Sequence, residues 1–246
     1  MSYDLWYWPG IQGRGEFVRL VLEGAGIPYR DRAREDGAEA LIKDMHRRGG
    51  FAPFAPPYLV AHTERPDTAG RGGDFAIAQV AHILAWLTDR HGLGSGVLET
   101  DLQLIQLQLT VTDVVAEAHN VHHPVAADKY YHEQKDEALI AAASFRNARL
   151  PKYLGYFEGA LGVNEGPFVL GNAWSHVDTS LFQLVEGLRY AFPRRMATLE
   201  IDHPRLSALR DAVAGIDRIA AYLASDRRLA FNEDGIFRHY PELDAG

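Results

Sequence analysis

The chain has 246 residues, 47% hydrophobic and 24% charged, with a net charge of -8 and no cysteine. A chain of this size and composition buries its own core without a staple, and its negative charge argues against nucleic acid or an anionic membrane as main partner. The missing cysteine excludes disulfides, thiolate metal sites and any protein-thiol mechanism, so a sulfur nucleophile has to arrive with a substrate.

No stretch approaches the roughly 18 consecutive apolar residues of a spanning helix. Met1-Ser2-Tyr3-Asp4 lacks the basic and apolar regions of a signal peptide, so the cytoplasm is the expected location. Asp4 to Trp8 is short and aromatic and reads as a strand ended by Pro9-Gly10. Gly13-Arg14-Gly15-Glu16 opens a helical pattern whose apolar face is Val18, Leu20, Val21, Leu22 and Ala25, closed by Gly26. A second strand is expected within Ile27 to Arg32, and a short helix from Ala38 to Met45.

Phe54-Ala55-Pro56-Pro57-Tyr58-Leu59-Val60 then runs a Pro-Pro pair into an apolar strand. Proline has no amide hydrogen and sits at the first residue or edge of a strand. A bend there leaves backbone groups free to pair with a small peptide. The Gly-rich insert Thr63 to Asp74 reads as a surface loop. Phe75-Ala76-Ile77 resumes as a strand, and Gln79 to Asp89 as a helix. The order β-α-β-α-β-β-α makes an α/β domain over residues 1–91, and the Gly-rich His91 to Gly96 is the linker. Residues 100–246 read as an all-helical domain with a tail. Its helices are expected at Asp101 to His119, at Tyr131 to Leu161 with a kink or break at Pro151, after the capping box Ser175-His176-Val177-Asp178, and at Pro204 to Val213 and Ile219 to Leu223.

This arrangement resembles the cytosolic glutathione transferases. Leu5-Trp6-Tyr7-Trp8 followed by Gly13 to Leu20 resembles the start of the tyrosine-type classes (mu, pi, sigma). Pro57-Tyr58-Leu59 is similar to their cis-Pro strand, Gln79 and the following helix to their Gln-Ser motif, and Ser175 to Asp178 to their helical-domain capping box. The resemblance implies a thioredoxin-like first domain, glutathione as co-substrate, no metal, a small hydrophobic electrophile and a homodimer.

Residue by residue, the resemblance makes Tyr7 the donor that stabilises the glutathione thiolate. It places Arg14 near the thiol, Lys43 at the glycyl carboxylate, Pro56 and Pro57 beside the cysteinyl backbone, and Gln79 and Val80 at the γ-glutamyl end. Asp113 would reach the γ-glutamyl amine across the dimer, and Phe54, with Phe51 as its rival, would be the interface key. Two departures weaken the expected site: Val80 replaces the family's serine, and Pro56 offers no N–H. They keep open a non-catalytic binding or interaction protein on the same fold, and a glutathione-dependent etherase or peroxidase is a further alternative. His119, His122 and His123 invite a metal reading, but a polar helix end explains them. Tyr130, Tyr131, Phe237 and Tyr240 are equally pocket or core aromatics.

Overall fold

The computed structural model describes residues 2–62 and 74–245. All of the Gly-rich insert except Asp74 therefore lies outside the described residues. The chain divides into two compact units: residues up to Gly92 together with Asp217–Ala230, and Leu93–Ile216 together with the residues from Phe231 on.

In the first unit, strand β1 (Ser2–Trp6) leads to helix α1 (Gly15–Ala25) and strand β2 (Tyr29–Asp31). Helices α2 (Arg32–Asp36) and α3 (Ala38–Arg47) follow, then β3 (Tyr58–His62), β4 (Phe75–Ala78) and α4 (Val80–His91). The sheet order is β2-β1-β3-β4, with β1 parallel to β2 and antiparallel to β3, and β3 antiparallel to β4. Alternation sorts the side chains onto two faces. Leu5, Leu59 and Ile77 stand in one buried cross-strand row. On the other face Trp6, Tyr58 and Val60 pack with Ala33 of α2 and Leu41 of α3. β1 ends at Trp6, so Tyr7 and Trp8 lie beyond the strand expected to contain them. α2 was not anticipated, and it takes over the chain where the second strand was expected to run on.

α1 ends as the sequence suggests. Gly26 adopts φ +65, and the Ile27 amide donates to the Leu22 carbonyl at 2.8 Å, closing the last turn. The start of α1 carries a charged cluster in which Glu16 and Arg19 are fully buried. Glu16 accepts from Arg19 at 3.2 Å, and Arg19 Nε donates to Asp31 at 2.7 Å. The Tyr222 hydroxyl and Arg228 each donate to Glu16 Oε1 at 2.6 Å. A buried carboxylate is tolerable only when its lone pairs are satisfied. Two of its donors come from a segment more than 200 positions later in the chain.

The second unit is helical: α5 (Leu98–Asn120), α6 (Lys135–Ser144), α7 (Leu150–Leu161), α8 (His176–Ala191), α9 (Pro193–Leu199) and α10 (Pro204–Ala214). Helix α11 (Asp217–Leu223) belongs to the first unit. α8 is buried on nearly every side and forms the centre of the second unit. Its capping box is formed: Asp178 accepts from the Ser175 amide and hydroxyl at 2.7 Å and from the Val169 amide at 2.8 Å. The break near Pro151 is a wide π-helical turn at Phe145–Arg149, and Pro151 then sits in the first turn of α7, where no amide donor is required. The tail is packed rather than loose. A Cβ at Gly187 would come within 2.2 Å of the Phe237 ring. Asp244 accepts from the Arg194 amide at 2.7 Å and from the Arg195 amide at 3.2 Å, capping α9.

Candidate functional site

The sheet register gathers one end of the first unit. Trp6 pairs with Tyr58, and Tyr58 pairs with Ala78. The next residue along each strand at this end is therefore Tyr7, Pro57 and Gln79. The Pro56–Pro57 bond is cis, Pro57 is buried and Pro56 half-buried. Gln79 has φ +69 and ψ +119, a backbone state that L side chains rarely adopt, which costs about 1–3 kcal/mol and persists where the surroundings impose it. It precedes α4, whose first-turn amides have no partner four residues back within the helix. Val80 is the first residue of α4 and is half-buried.

Tyr7 is 4% exposed and packs against the start of α1. The Arg14 amide donates a 2.9 Å hydrogen bond to its hydroxyl oxygen. Close approach requires the glycines here: a Cβ at Gly13 would lie 2.1 Å from the hydroxyl, and one at Gly15 would lie 2.6 Å from the ring. The Arg19 guanidinium sits 5.9 Å from the ring centroid. Burial pushes the Tyr7 hydroxyl above its ordinary value, while the Arg14 amide and the charges of Arg14 and Arg19 pull against that shift. At neutral pH the group is a protonated phenol.

The other expected residues are placed differently. Arg14 is half-buried and joins Tyr7 through its backbone. Lys43 is on the exposed face of α3, in a shallow depression with Glu39, Ile42, His46 and Arg47. Among the described residues no hydrogen bond or ion pair links it to Tyr7. Asp113 is exposed on α5, in the second unit. His119, His122 and His123 cluster with ring centroids 4.8–5.0 Å apart, His119 stacked on His123 and His122 edge-on to both, and His122 Nε2 lies 2.9 Å from the Ile236 carbonyl. Among the described residues no group of three or more His, Asp or Glu side chains could hold a metal ion. Residues that sequence reasoning missed are Gln12 and Glu16, which flank Arg14 in the chain, and Tyr222 and Arg228, which donate to Glu16.

A small sheet of this order with a cis-proline ahead of β3, joined to an all-helical unit, is the architecture of the cytosolic glutathione transferases. The family model "Glutathione S-transferase, C-terminal domain" matches residues 119–226. A class-mu 26 kDa glutathione S-transferase of Fasciola hepatica is 23% identical over all of this chain and 97% of its own length. Glutathione S-transferase P 1 of Xenopus laevis is 24% identical over 92% of this chain and 94% of its own. The Pi-class glutathione S-transferase of Onchocerca volvulus superposes with a TM-score of 0.69 at 20% identity, covering 96% of this chain and 99% of its own. Residues 119–226 thus match a glutathione S-transferase C-terminal domain, and the chain as a whole is similar in sequence and fold to glutathione S-transferases.

Proposed function

We propose that the protein is a glutathione S-transferase that conjugates the thiolate of glutathione to a hydrophobic electrophile. The observation that carries this reading is the buried Tyr7 hydroxyl, its oxygen held by the Arg14 amide and its proton free to be donated. A free thiol has a pKa near 8.5, so lowering it to neutrality needs about 1.4 kcal/mol for each unit. A hydrogen bond donated to the charged form supplies about 1.5–3 kcal/mol. The thiolate sulfur then bonds to the electrophilic carbon as the leaving group departs with its electron pair. The Tyr7 proton stays on the phenol throughout.

Glutathione lies at the sheet end in this reading. Pro57 and the carbonyl of Pro56 flank its cysteinyl backbone, and the first turn of α4 after Gln79, with Val80, receives the γ-glutamyl carboxylate. Arg14 and Lys43 supply positive charge, and Asp113 of a second copy meets the γ-glutamyl amine. The protein acts as a homodimer in the cytoplasm, where thiols are kept reduced. Phe54, 95% exposed, is the interface key.

The test is calorimetric titration with glutathione at neutral pH, followed by conjugation of an activated aryl halide. Binding in the micromolar to low millimolar range is expected, with conjugation lost in Tyr7→Phe at an unchanged melting temperature. No heat at several millimolar glutathione would sink the reading and leave a binding or interaction protein on the same fold.

A further inference from the structure

Arg14, whose amide holds the Tyr7 oxygen, lies midway between two residues tied to one distant segment. Two positions before it, Gln12 is 4% exposed, and its side-chain amide donates to the Leu229 carbonyl. The Gln12 carbonyl accepts from the Glu16 amide at 3.1 Å and from Arg19 at 3.3 Å. Two positions after Arg14, Glu16 is fully buried and accepts from Tyr222 and Arg228. Leu229, Tyr222 and Arg228 all belong to the returning segment Asp217–Ala230. That segment also has an outer anchor, the ion pair of Arg227 with Glu23, part-way along α1 and away from the Tyr7 loop.

We propose that Gln12 and Tyr222 are positioning residues for Tyr7: the returning segment, gripping the chain on both sides of Arg14, sets the Arg14 N–H against the Tyr7 oxygen. The N–H polarises the phenol and so strengthens the hydrogen bond that its proton makes to the thiolate. Gln12 and Tyr222 touch no substrate in this scheme. The catalytic consequence rests on the proposed transferase activity, whereas the positioning itself does not.

The direct readout is amide hydrogen exchange at Arg14 in the ligand-free protein, which needs no glutathione. Tyr7→Phe calibrates the signal by removing the acceptor. Gln12→Ala and Tyr222→Phe are each expected to speed Arg14 exchange by about tenfold. Arg227→Ala, which removes the outer anchor and the guanidinium 5.4 Å from the Tyr222 ring centroid but none of the hydrogen bonds to Gln12 or Glu16, leaves it at the parent rate. Titration of bound glutathione by thiolate absorbance then gives a thiol pKa about one unit higher in the first two variants and unchanged in the third. Their kcat at neutral pH falls in step and recovers at high pH, with KM for glutathione held within about twofold.

Parent-like Arg14 exchange in both Gln12→Ala and Tyr222→Phe, or an equal rise in Arg227→Ala, overturns the proposal. Faster exchange with an unmoved thiol pKa overturns its catalytic half. Faster exchange in a protein that binds no glutathione upholds the positioning and fails the transferase reading instead.

Discussion

The Tyr58 hydroxyl donates a 2.8 Å hydrogen bond to Asp44 Oδ2, tying α3 to the strand that begins directly after Pro57. Asp44 is 3% exposed and also accepts from Arg47 and, at 2.6 Å, from Arg48. Burial alone would raise its carboxyl; Arg48 and Tyr58 outweigh that and hold it below its ordinary value. Tyr58→Phe keeps the packing and deletes one donor to a buried charge. A loss of about 1.5–3 kcal/mol in urea-unfolding free energy is expected. A loss under about 0.5 kcal/mol would show that the two arginines suffice.

Gly15 tests the fit of Tyr7. A methyl group there lies 2.6 Å from the Tyr7 ring, in a helix whose backbone would accept alanine without strain. Gly15→Ala is expected to cost about 1–3 kcal/mol by overpacking. It should cut conjugation more than tenfold by moving the hydroxyl, as a misplacement of about 1 Å does. Gly159→Ala is the control: it is exposed on α7 with open space at its Cβ, and it should stabilise by about 0.5–1 kcal/mol with activity intact.

Acid stability follows from two buried histidines of the second unit. Burial pushes His122 down to about 3 and His176 down to about 4. Unfolded histidine titrates near 6.5. Above that pH neither state is charged; below it the unfolded chain takes up protons that the folded chain refuses, so stability falls as pH falls toward the folded values. Between pH 7 and 5 each histidine removes roughly 2 kcal/mol. Asp178 acts in the opposite sense, because burial pushes it up to about 6 and the folded state gains protons first. Its contribution cancels when variant and parent are compared. Denaturation midpoints from pH 7 to 5 should therefore fall less steeply in His122→Gln, and still less in the double variant with His176→Gln.

The start of α8 gives a fourth test. Ser175 Oγ accepts from the Val177 amide and donates to Asp178. Ser175→Ala is expected to cost about 1–2 kcal/mol. Asp178→Ala should cost more, because it strands the Ser175 and Val169 amides in a buried site. Equal midpoints for the two variants would show that water replaces the carboxylate.

The parts of the site that could be read in the sequence are those fixed by local rules. The Pro-Pro pair announces the start of β3, and Ser-x-x-Asp the start of α8. Glu16 shows the limit. In a helix-opening run it reads as a solvated first-turn acid, yet it is fully buried. Its partners Tyr222 and Arg228 sit in a short apolar helix and a polar turn that locally resemble any other, and no local period encodes a contact across more than 200 positions. The one available signal was an acid and an arginine three apart, Glu16 and Arg19, on a helix with an otherwise apolar flank. Similarly, β1 stops at Trp6 because its partner strand begins at Tyr58 after two prolines, which aromatic content alone did not reveal.

The return of Asp217–Ala230 to the first unit has a consequence for synthesis. The sheet, α1 and α4 leave the ribosome early, but two of the donors for Glu16, Tyr222 and Arg228, are made only after Leu93–Ile216 has been translated. At ordinary elongation rates that interval is on the order of 10 s. Through it the nascent first unit holds a carboxylate with Arg19 beside it but two of its final partners not yet made, so its last consolidation is a late event, coupled to near-completion of the polypeptide.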